Sequence, residues 1–328
     1  MTFDFLPSMD ALPKPGAPDR AETGLLRWEE SLASLDPEIA RDGHAIVTDP
    51  AGQRLLEAIF GTTPVPTRSL LSDIGFIVEH VTHGERVAFD RILRELRETP
   101  ISGAPPDSAS RALRVARRRA ALAIALADIA NRWTLHEVTG ALSDFAEAAM
   151  DMALAYLLRQ AAELGEIDLA DPENPLTDCG YVALGMGKLG ARELNYSSDV
   201  DLIVLYDPDR ISYRGHRGLS EGMVRLTRDL IALLEERTSD GYVLRTDLRL
   251  RPDPGAMPLA ISVGAARTYY ETIGQNWERA AMVKARPCCG DRRLGDDFLH
   301  DLRPFIWRKN LDFWAIQDIH SIKRQIQA

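Results

Sequence analysis

The 328-residue sequence holds only three cysteines, Cys179, Cys288 and Cys289. They are too few and too unevenly spaced for a disulfide framework or a cysteine-bound zinc site, and the adjacent pair would close only under strain. A reducing compartment, the cytoplasm, is therefore expected. No window of about 18 consecutive apolar residues occurs, so no membrane span is expected. The N-terminus, Met1-Thr-Phe-Asp-Phe-Leu-Pro, has neither the basic residues nor the sustained apolar stretch of a secretory signal. Positive charge is short as well. Lys and Arg number 39 against 49 Asp and Glu, a net −10. This argues against a nucleic-acid partner, because chains that grip a phosphate backbone carry a basic surplus. Arg111, Arg114, Arg117, Arg118 and Arg119 form a local exception. They read as the solvated start of a long helix. The pair His80 and His83 has metal-ligand spacing but no neighbouring Cys or third His, and reads as surface. Internal repeats and low-complexity segments are lacking too.

What is present falls into three stretches. Residues 1–170 read as a helical N-terminal domain. Leu70, Leu71, Ile74, Ile77, Val78 and Val81 recur at three- and four-residue steps, as one buried helix face requires. Pro64 and Pro66 mark a loop before that helix, and Pro105-Pro106-Asp107-Ser108 another. Residues 109–130 predict a helix, and two more are expected from Thr134 through Leu164. The polar run Asp171-Pro-Glu-Asn-Pro-Leu-Thr-Asp178 then opens a second texture, residues 171–290. Short apolar strands are expected at Tyr181–Gly185, Leu202–Tyr206 and Tyr242–Leu250, with an amphipathic helix over Ser220–Arg237 between the last two. Residues 265–284 look helical. Residues 291–328 begin a further helical region, and its pattern stops at Ala328 without a cap, so the chain reads as a fragment of a longer one. The fold class expected is α+β.

Three aspartates dominate the middle stretch. Asp199 and Asp201 lie one residue apart at the mouth of the strand Leu202-Ile-Val-Leu-Tyr206, and Asp247 lies on the next expected strand. Residues i and i+2 of a strand point to one side, so Asp199 and Asp201 share a face while Val200 and Leu202 face the core. Adjacent ionised carboxylates repel unless a divalent cation sits between them. Asp247, Arg249 and Arg251 alternate with Leu248 and Leu250, which places a carboxylate and two guanidiniums on one face. Such a face can hold a metal at one end and phosphate oxygens at the other. Gly185, Gly187 and Gly190 follow the first strand. Glycine lets backbone N–H groups approach a phosphate, and Lys188 adds positive charge. The run is neither a Walker A loop nor a dinucleotide fingerprint in context, because an acidic strand follows it instead of a long helix.

Together these blocks resemble the nucleotidyltransferase fold of the DNA polymerase β superfamily. They are more similar still to the bacterial glutamine synthetase adenylyltransferase/adenylyl-removing enzymes, long chains with two nucleotidyltransferase halves. The likeness rests on Gly185-Met-Gly-Lys-Leu-Gly through Glu-Leu-Asn-Tyr-Ser-Ser-Asp-Val-Asp-Leu-Ile, on Asp247-Leu-Arg-Leu-Arg-Pro, and on Trp277-Glu-Arg-Ala-Ala-Met-Val-Lys-Ala-Arg286. It spans roughly residues 110–328. Ala191 and Pro287-Cys288-Cys289 depart from the usual pattern without touching the aspartates.

The Glu-Leu-Asn-Tyr-Ser-Ser-Asp form resembles the N-terminal, adenylyl-removing half. The resemblance implies a polymerase β-like core flanked by predominantly helical regions. It implies phosphorolysis of adenylylated tyrosine on glutamine synthetase, with inorganic phosphate as co-substrate and ADP as product. Asp199, Asp201 and Asp247 are then the catalytic residues and the ligands of Mg2+, with Mn2+ as an alternative. Gly185, Gly187, Lys188, Ser198, Arg249 and Arg251 are then the nucleotide and phosphate contacts. Implied partners are adenylylated glutamine synthetase, the PII signalling protein and a covalently linked C-terminal adenylyltransferase half. Three other readings stay open: ATP-dependent adenylyl transfer to a protein tyrosine, a catalytically silent PII-binding module, and an RNA-modifying nucleotidyltransferase, the last disfavoured by the acidic balance.

Overall fold

The computed structural model describes residues 5–62, 64–98 and 106–307. By compactness the chain forms two units. One takes the residues up to Glu98 together with Arg114–Phe145; the other takes the stretch ending at Leu113 and everything from Ala146. This partition differs from a boundary at residue 170 because the helix before the polar linker already bonds to the sheet that follows it. Asp151 accepts from Gly290 N (3.0 Å) and from Arg292 (2.6 Å).

The first unit is built from helices: α1 (Pro18–Leu32), α2 (Pro37–Thr48), α3 (Pro50–Phe60), α4 (Pro64–Leu71), α5 (Ile74–His83), α6 (Glu85–Glu98), and parts of α7 (Pro106–Ile129) and α8 (Leu135–Glu163). The local reasons are plain in the chain. Proline opens α1, α2 and α3, where its missing N–H costs nothing. Asp36 caps α2 by accepting from Glu38 N, and Asp49 caps α3 by accepting from Ala51 N and Gly52 N, each at about 3 Å. Trp28, Leu32, Ile46, Leu55, Ile59 and Ile77 form the buried centre.

Three expectations change here. Pro64 and Pro66 lie inside α4 and do not mark a loop. The two helices expected after Thr134 are one helix of 29 residues, α8. Its start is fixed by a capping box: Glu137 accepts from Thr134 N at 2.9 Å, and Thr134 Oγ1 accepts from Glu137 N at 3.4 Å. The arginine run is not simply a solvated face. Arg114 is fully buried, and Arg119 clasps Asp73 (2.7 and 3.3 Å) while its guanidinium lies 5.4 Å from the Phe76 ring centre.

His80 is a further correction, since it is fully buried and not on the surface. Phe5 packs edge-on against its ring at 4.9 Å, and neither ring nitrogen finds a partner among the described residues. Burial alone pushes its pKa down to about 4. Between pH 6.5 and 4 the unfolded chain thus binds a proton that the folded chain refuses. Stability falls as pH drops through that window, by up to about 3 kcal/mol. His80→Leu is expected to abolish this acid-side loss and to add about 1–2 kcal/mol at neutral pH by removing two orphaned nitrogens. Parallel melting curves of the two proteins from pH 7 to 4.5 would refute it.

The second unit holds a mixed sheet. Its strands are β1 (Ile167–Asp168), β2 (Tyr181–Gly185), β3 (Val200–Tyr206), β4 (Ser212–Tyr213), β5 (Thr246–Asp247), β6 (Ala260–Ser262) and β7 (Arg286–Gly290). β1 and β4 form a separate antiparallel pair. The main order is β5-β3-β2-β7, with β6 also on β3. β2 runs antiparallel to β3 and β7, whereas β5 and β6 run parallel to β3 near its two ends. All five residues of β2 are buried, as a strand covered on both faces must be.

The helices of this unit are α9 (Gly187–Gly190), α10 (Leu219–Glu235), α11 (Val263–Thr272), α12 (Asn276–Met282), α13 (Arg292–Asp301) and α14 (Arg303–Ile306). Val182, Leu184, Ile203 and Leu205 pack with Tyr269, Tyr270, Met282, Leu294, Phe298 and Phe305 from α11 to α14. Tyr181, which points the other way, bonds Thr227 of α10 at 2.9 Å. The helix expected over 265–284 breaks into α11 and α12, and Glu278 caps α12 by accepting from Gln275 N at 2.8 Å. β7 was not foreseen. A Pro-bearing, Gly-ended run is a poor strand signal, and here Cys288 is the extra residue at a bulge in an edge strand, where proline is tolerated. Among the described residues no helix is long and apolar enough to cross a membrane.

Candidate active site

The site forms at the N-terminal end of β3. Asp201 is the second residue of that strand and stands in register with Asp247 on parallel β5. Paired residues of neighbouring strands lie roughly 4.8 Å apart and point to one face. Asp199 precedes β3 by one residue, on the same side by alternation. That face is not solvent-facing along its length. Farther on, Ile203 and Leu205 carry it into the core, so the aspartates sit where a buried face opens at its rim.

The consequence is electrostatic. Asp201 is half-buried, and its carboxyl is held above its ordinary pKa, first by desolvation and then by repulsion from Asp247 and Asp199; Arg249 and Lys188 partly offset this. Its side chain makes no hydrogen bond or ion pair among the described residues, although its backbone carbonyl accepts from Met186 N at 2.8 Å. The outer two carboxylates are neutralised. Arg249 Nε lies 3.0 and 2.8 Å from the two oxygens of Asp247, and its Nη2 lies 2.5 Å from one of them, which drives the Asp247 pKa down. Arg245 Nε lies 2.5 Å from Asp199 Oδ1, and its Nη2 reaches the Ser197 carbonyl at 2.5 Å.

The candidate residues do not all converge. Gly187 does, with φ +51° and a hypothetical Cβ only 3.0 Å from Asp201 Oδ2, so a side chain there would be strained and would press on that carboxylate. Lys188 is exposed and approaches Ser198 Oγ at 3.5 Å. Ser198 closes a turn by donating to Asn195 Oδ1 at 2.8 Å. Gly185 serves packing: a Cβ there would meet Cys288 Sγ at 2.4 Å.

The expected strand Tyr242–Leu250 shrinks to Thr246–Asp247. The chain turns from Leu248, and Arg251 donates to the carbonyls of Leu248 (2.9 Å), Pro254 (2.8 Å) and Met257 (3.4 Å). Strand alternation therefore does not set Arg251 beside Arg249; its donors hold the turn instead. Arg286 likewise serves structure, bonding Glu147 at 2.6 Å and the Gly190 and Leu189 carbonyls at 3.2 Å. Lys284 pairs with Glu193 at 2.7 Å.

Sequence reasoning overlooked Arg245, Asn195 and Glu235. Glu235 anchors β5 by accepting from Thr246 N and Oγ1, both at 2.7 Å. The signal for Arg245 was available, since the same two-residue step that links Asp247 to Arg249 also links it back to Arg245. A cavity of about 210 Å³ opens at the far end of β2, beside Tyr181, Cys179 and Arg210, and Asp199, Asp201 and Asp247 do not line it.

Among the described residues no group of three His, Cys, Asp or Glu side chains is placed to hold a metal ion as it stands. The physical reason is on view: two of the three carboxylates point into guanidiniums. The donor chemistry nonetheless fits a hard divalent cation, because the set is all oxygen and its central, half-buried member carries repulsion from both neighbours that Arg249 and Lys188 offset only in part.

A family model described as Glutamate-ammonia ligase adenylyltransferase matches residues 77–301. The chain belongs to that family. Three curated relatives each carry the name bifunctional glutamine synthetase adenylyltransferase/adenylyl-removing enzyme. The one from Rhizobium meliloti (strain 1021) is 58% identical over 66% of this chain and 22% of its own length. That of Brucella suis biovar 1 (strain 1330) is 43% identical over 92% of this chain and 33% of its own. That of Xanthobacter autotrophicus (strain ATCC BAA-1158 / Py2) is 49% identical over 94% of this chain and 31% of its own. The chain thus spans a third or less of the length of these three relatives. The mixed sheet with its flanking helices is consistent with the nucleotidyltransferase core of this family.

Proposed function

We propose that this segment removes AMP from an adenylylated tyrosine of glutamine synthetase by phosphorolysis. The observation that carries the reading is the register pairing of Asp201 with Asp247, one step from Asp199 and beside Lys188 and Arg249, in a family whose matched members are named for adding and removing adenylyl groups. The Glu193–Asp199 block, with its removing-half form, favours this direction.

In the reaction an oxygen of inorganic phosphate attacks the α-phosphorus. The bond from phosphorus to the tyrosyl oxygen breaks, and the products are ADP and a tyrosine whose phenolate takes up a proton. Asp199, Asp201 and Asp247 would hold Mg2+ or Mn2+, which when bound supplies polarisation of the phosphoryl oxygens and stabilisation of the leaving phenolate. Phosphate is already ionised, so this chain's residues have charge to offset rather than protons to remove. Arg249 is the strongest candidate, being 85% exposed and able to turn from Asp247 toward an incoming oxyanion. Lys188 and the Ser198 hydroxyl flank the same opening. Gly187 leaves room for the Asp201 carboxylate. The setting proposed is cytoplasmic, with PII and a linked adenylyltransferase half as partners of the longer protein.

The forward reaction, AMP transfer from ATP, would use the same carboxylates and is favoured by the family's description as an adenylyltransferase. The two readings separate cleanly. Adenylylated glutamine synthetase incubated with this chain and phosphate is expected to yield one ADP per AMP lost, and none when phosphate is left out. AMP transfer from ATP to unmodified glutamine synthetase, without ADP from the modified form, would reverse the assignment.

A further inference from the structure

The two arginines at the site differ in kind from the other arginines around it. Arg251 gives its donors to backbone carbonyls, and Arg286 to two carbonyls and Glu147, so neither can leave without unmaking a turn or a strand junction. Arg249 and Arg245 instead spend theirs largely on the oxygens that a divalent ion would need. Arg249 takes both oxygens of Asp247, and its side chain has no other hydrogen-bond partner among the described residues. Arg245 takes Asp199 Oδ1 with Nε and is tethered by one further bond to the Ser197 carbonyl. Both are exposed, at 85% and 46% of the side chain. Ion pairs open to solvent are weak and exchange readily; the Asp199 pair is open at both ends and the Asp247 pair at its guanidinium. Asp201 between them has no guanidinium and keeps its repulsion.

We infer that Arg249 and Arg245 are resident counter-cations that compete with the divalent ion for Asp247 and Asp199, and that the guanidinium displaced from Asp247 becomes a ligand of the phosphate that reacts. This rests on the active-site reading above. Ion binding and phosphate binding are then coupled through one side chain. A cation arriving at the aspartates frees the Arg249 guanidinium for an oxyanion, and an oxyanion that captures that guanidinium leaves Asp247 held only by the Arg249 backbone N–H on Oδ1 (2.8 Å), with Oδ2 clear for the cation. By reciprocity each tightens the other. The step is an exchange of ion pairs, with no bond made or broken. Arg249 exchanges more easily than Arg245, because only Arg245 has a second anchor.

Mn2+ binding to the whole chain, followed by its electron spin resonance, tests this. Arg249→Ala is expected to tighten Mn2+ about two- to five-fold, the range set by the coupling of an exposed ion pair. Removing any nearby positive charge would also help a cation, so Lys188→Ala is the control: Lys188 faces the same field but bonds only Ser198 among the described residues. Its effect should be smaller. Inorganic phosphate should tighten Mn2+ in the wild-type chain and not in Arg249→Ala. If Arg249→Ala binds Mn2+ no more tightly than Lys188→Ala, or keeps the phosphate effect, the exchange is wrong while the active site stands. If the wild-type chain takes up no Mn2+ at all, the aspartates are not a metal site and the proposed function fails first.

Discussion

Replacing Asp201 by asparagine is expected to cut ADP release by more than about 100-fold, the scale seen when one group that stabilises transition-state charge is lost, while leaving the folded protein at least as stable as the wild type. The two halves of that result have different causes. Asn keeps the shape of the side chain and one oxygen, so β3 and its pairing with β5 persist. It loses the charge that both outer aspartates push against. In the folded protein Asp201 has a raised pKa. A carboxyl with a raised pKa binds its proton more readily folded than unfolded, so stability drops as pH rises through the interval between the two values. At neutral pH the ionised Asp201 is therefore a standing cost to the fold, and a neutral amide relieves it. A variant that merely broke the fold would lose activity and melting temperature together. Here activity should fall while the melting temperature holds or rises, and the stabilisation that Mn2+ gives the wild type should vanish. Retained phosphorolysis in Asp201→Asn would end the assignment of these carboxylates.

How far the sequence disclosed this site depends on the kind of signal each residue gives. Leu202–Tyr206, the apolar part of β3, was readable because an apolar run that follows Asp199 and Asp201 is strand-like whatever packs on it; the observed strand starts two residues earlier, at Val200. β2 was readable for the same reason. α10 was readable because its apolar residues repeat at helical spacing, and the observed span Leu219–Glu235 lies within two residues of the expected one at each end. β5 misled because alternation of Arg with Leu over Asp247–Arg251 is the strand pattern, yet nothing local records that the Arg251 guanidinium will gather three carbonyls and turn the chain. β7 was missed because its strand character comes from partners on β2 more than 100 residues away, which overrule a proline. The buried state of His80 and Arg114 is of the same type. A polar letter on a helix says solvent until tertiary packing says otherwise. The glycines divide likewise: the run Gly185, Gly187, Gly190 reads as one phosphate loop, and close packing adds a separate reason for each glycine that spacing does not record.

Gly190 has the strictest of those reasons, and Gly190→Ala is expected to destabilise the second unit by about 3 kcal/mol, in the upper range for forced overpacking. An alanine Cβ there would stand 1.9 Å from the Lys284 carbonyl oxygen and 2.5 Å from that of Gly185. Both obstacles are backbone, so no side chain can rotate away. Either α9 must lift from the sheet or the segment entering β7 must retreat. Retreat is opposed by Arg286, whose Nε bonds the Gly190 carbonyl at 3.2 Å while its guanidinium also binds Glu147. Lifting α9 carries Gly187 away from Asp201, so catalysis should suffer along with stability, unlike in Asp201→Asn. The melting temperature should drop by roughly 6–12 °C. Gly264→Ala supplies the contrast. It lies in α11, and a Cβ there meets nothing within 4 Å. The same chemical change should then raise stability slightly, by at most about 1 kcal/mol, because alanine loses less backbone freedom on folding. Equal melting temperatures for the two variants would show that the close approach of Gly190 to Lys284 is not a constraint on the fold.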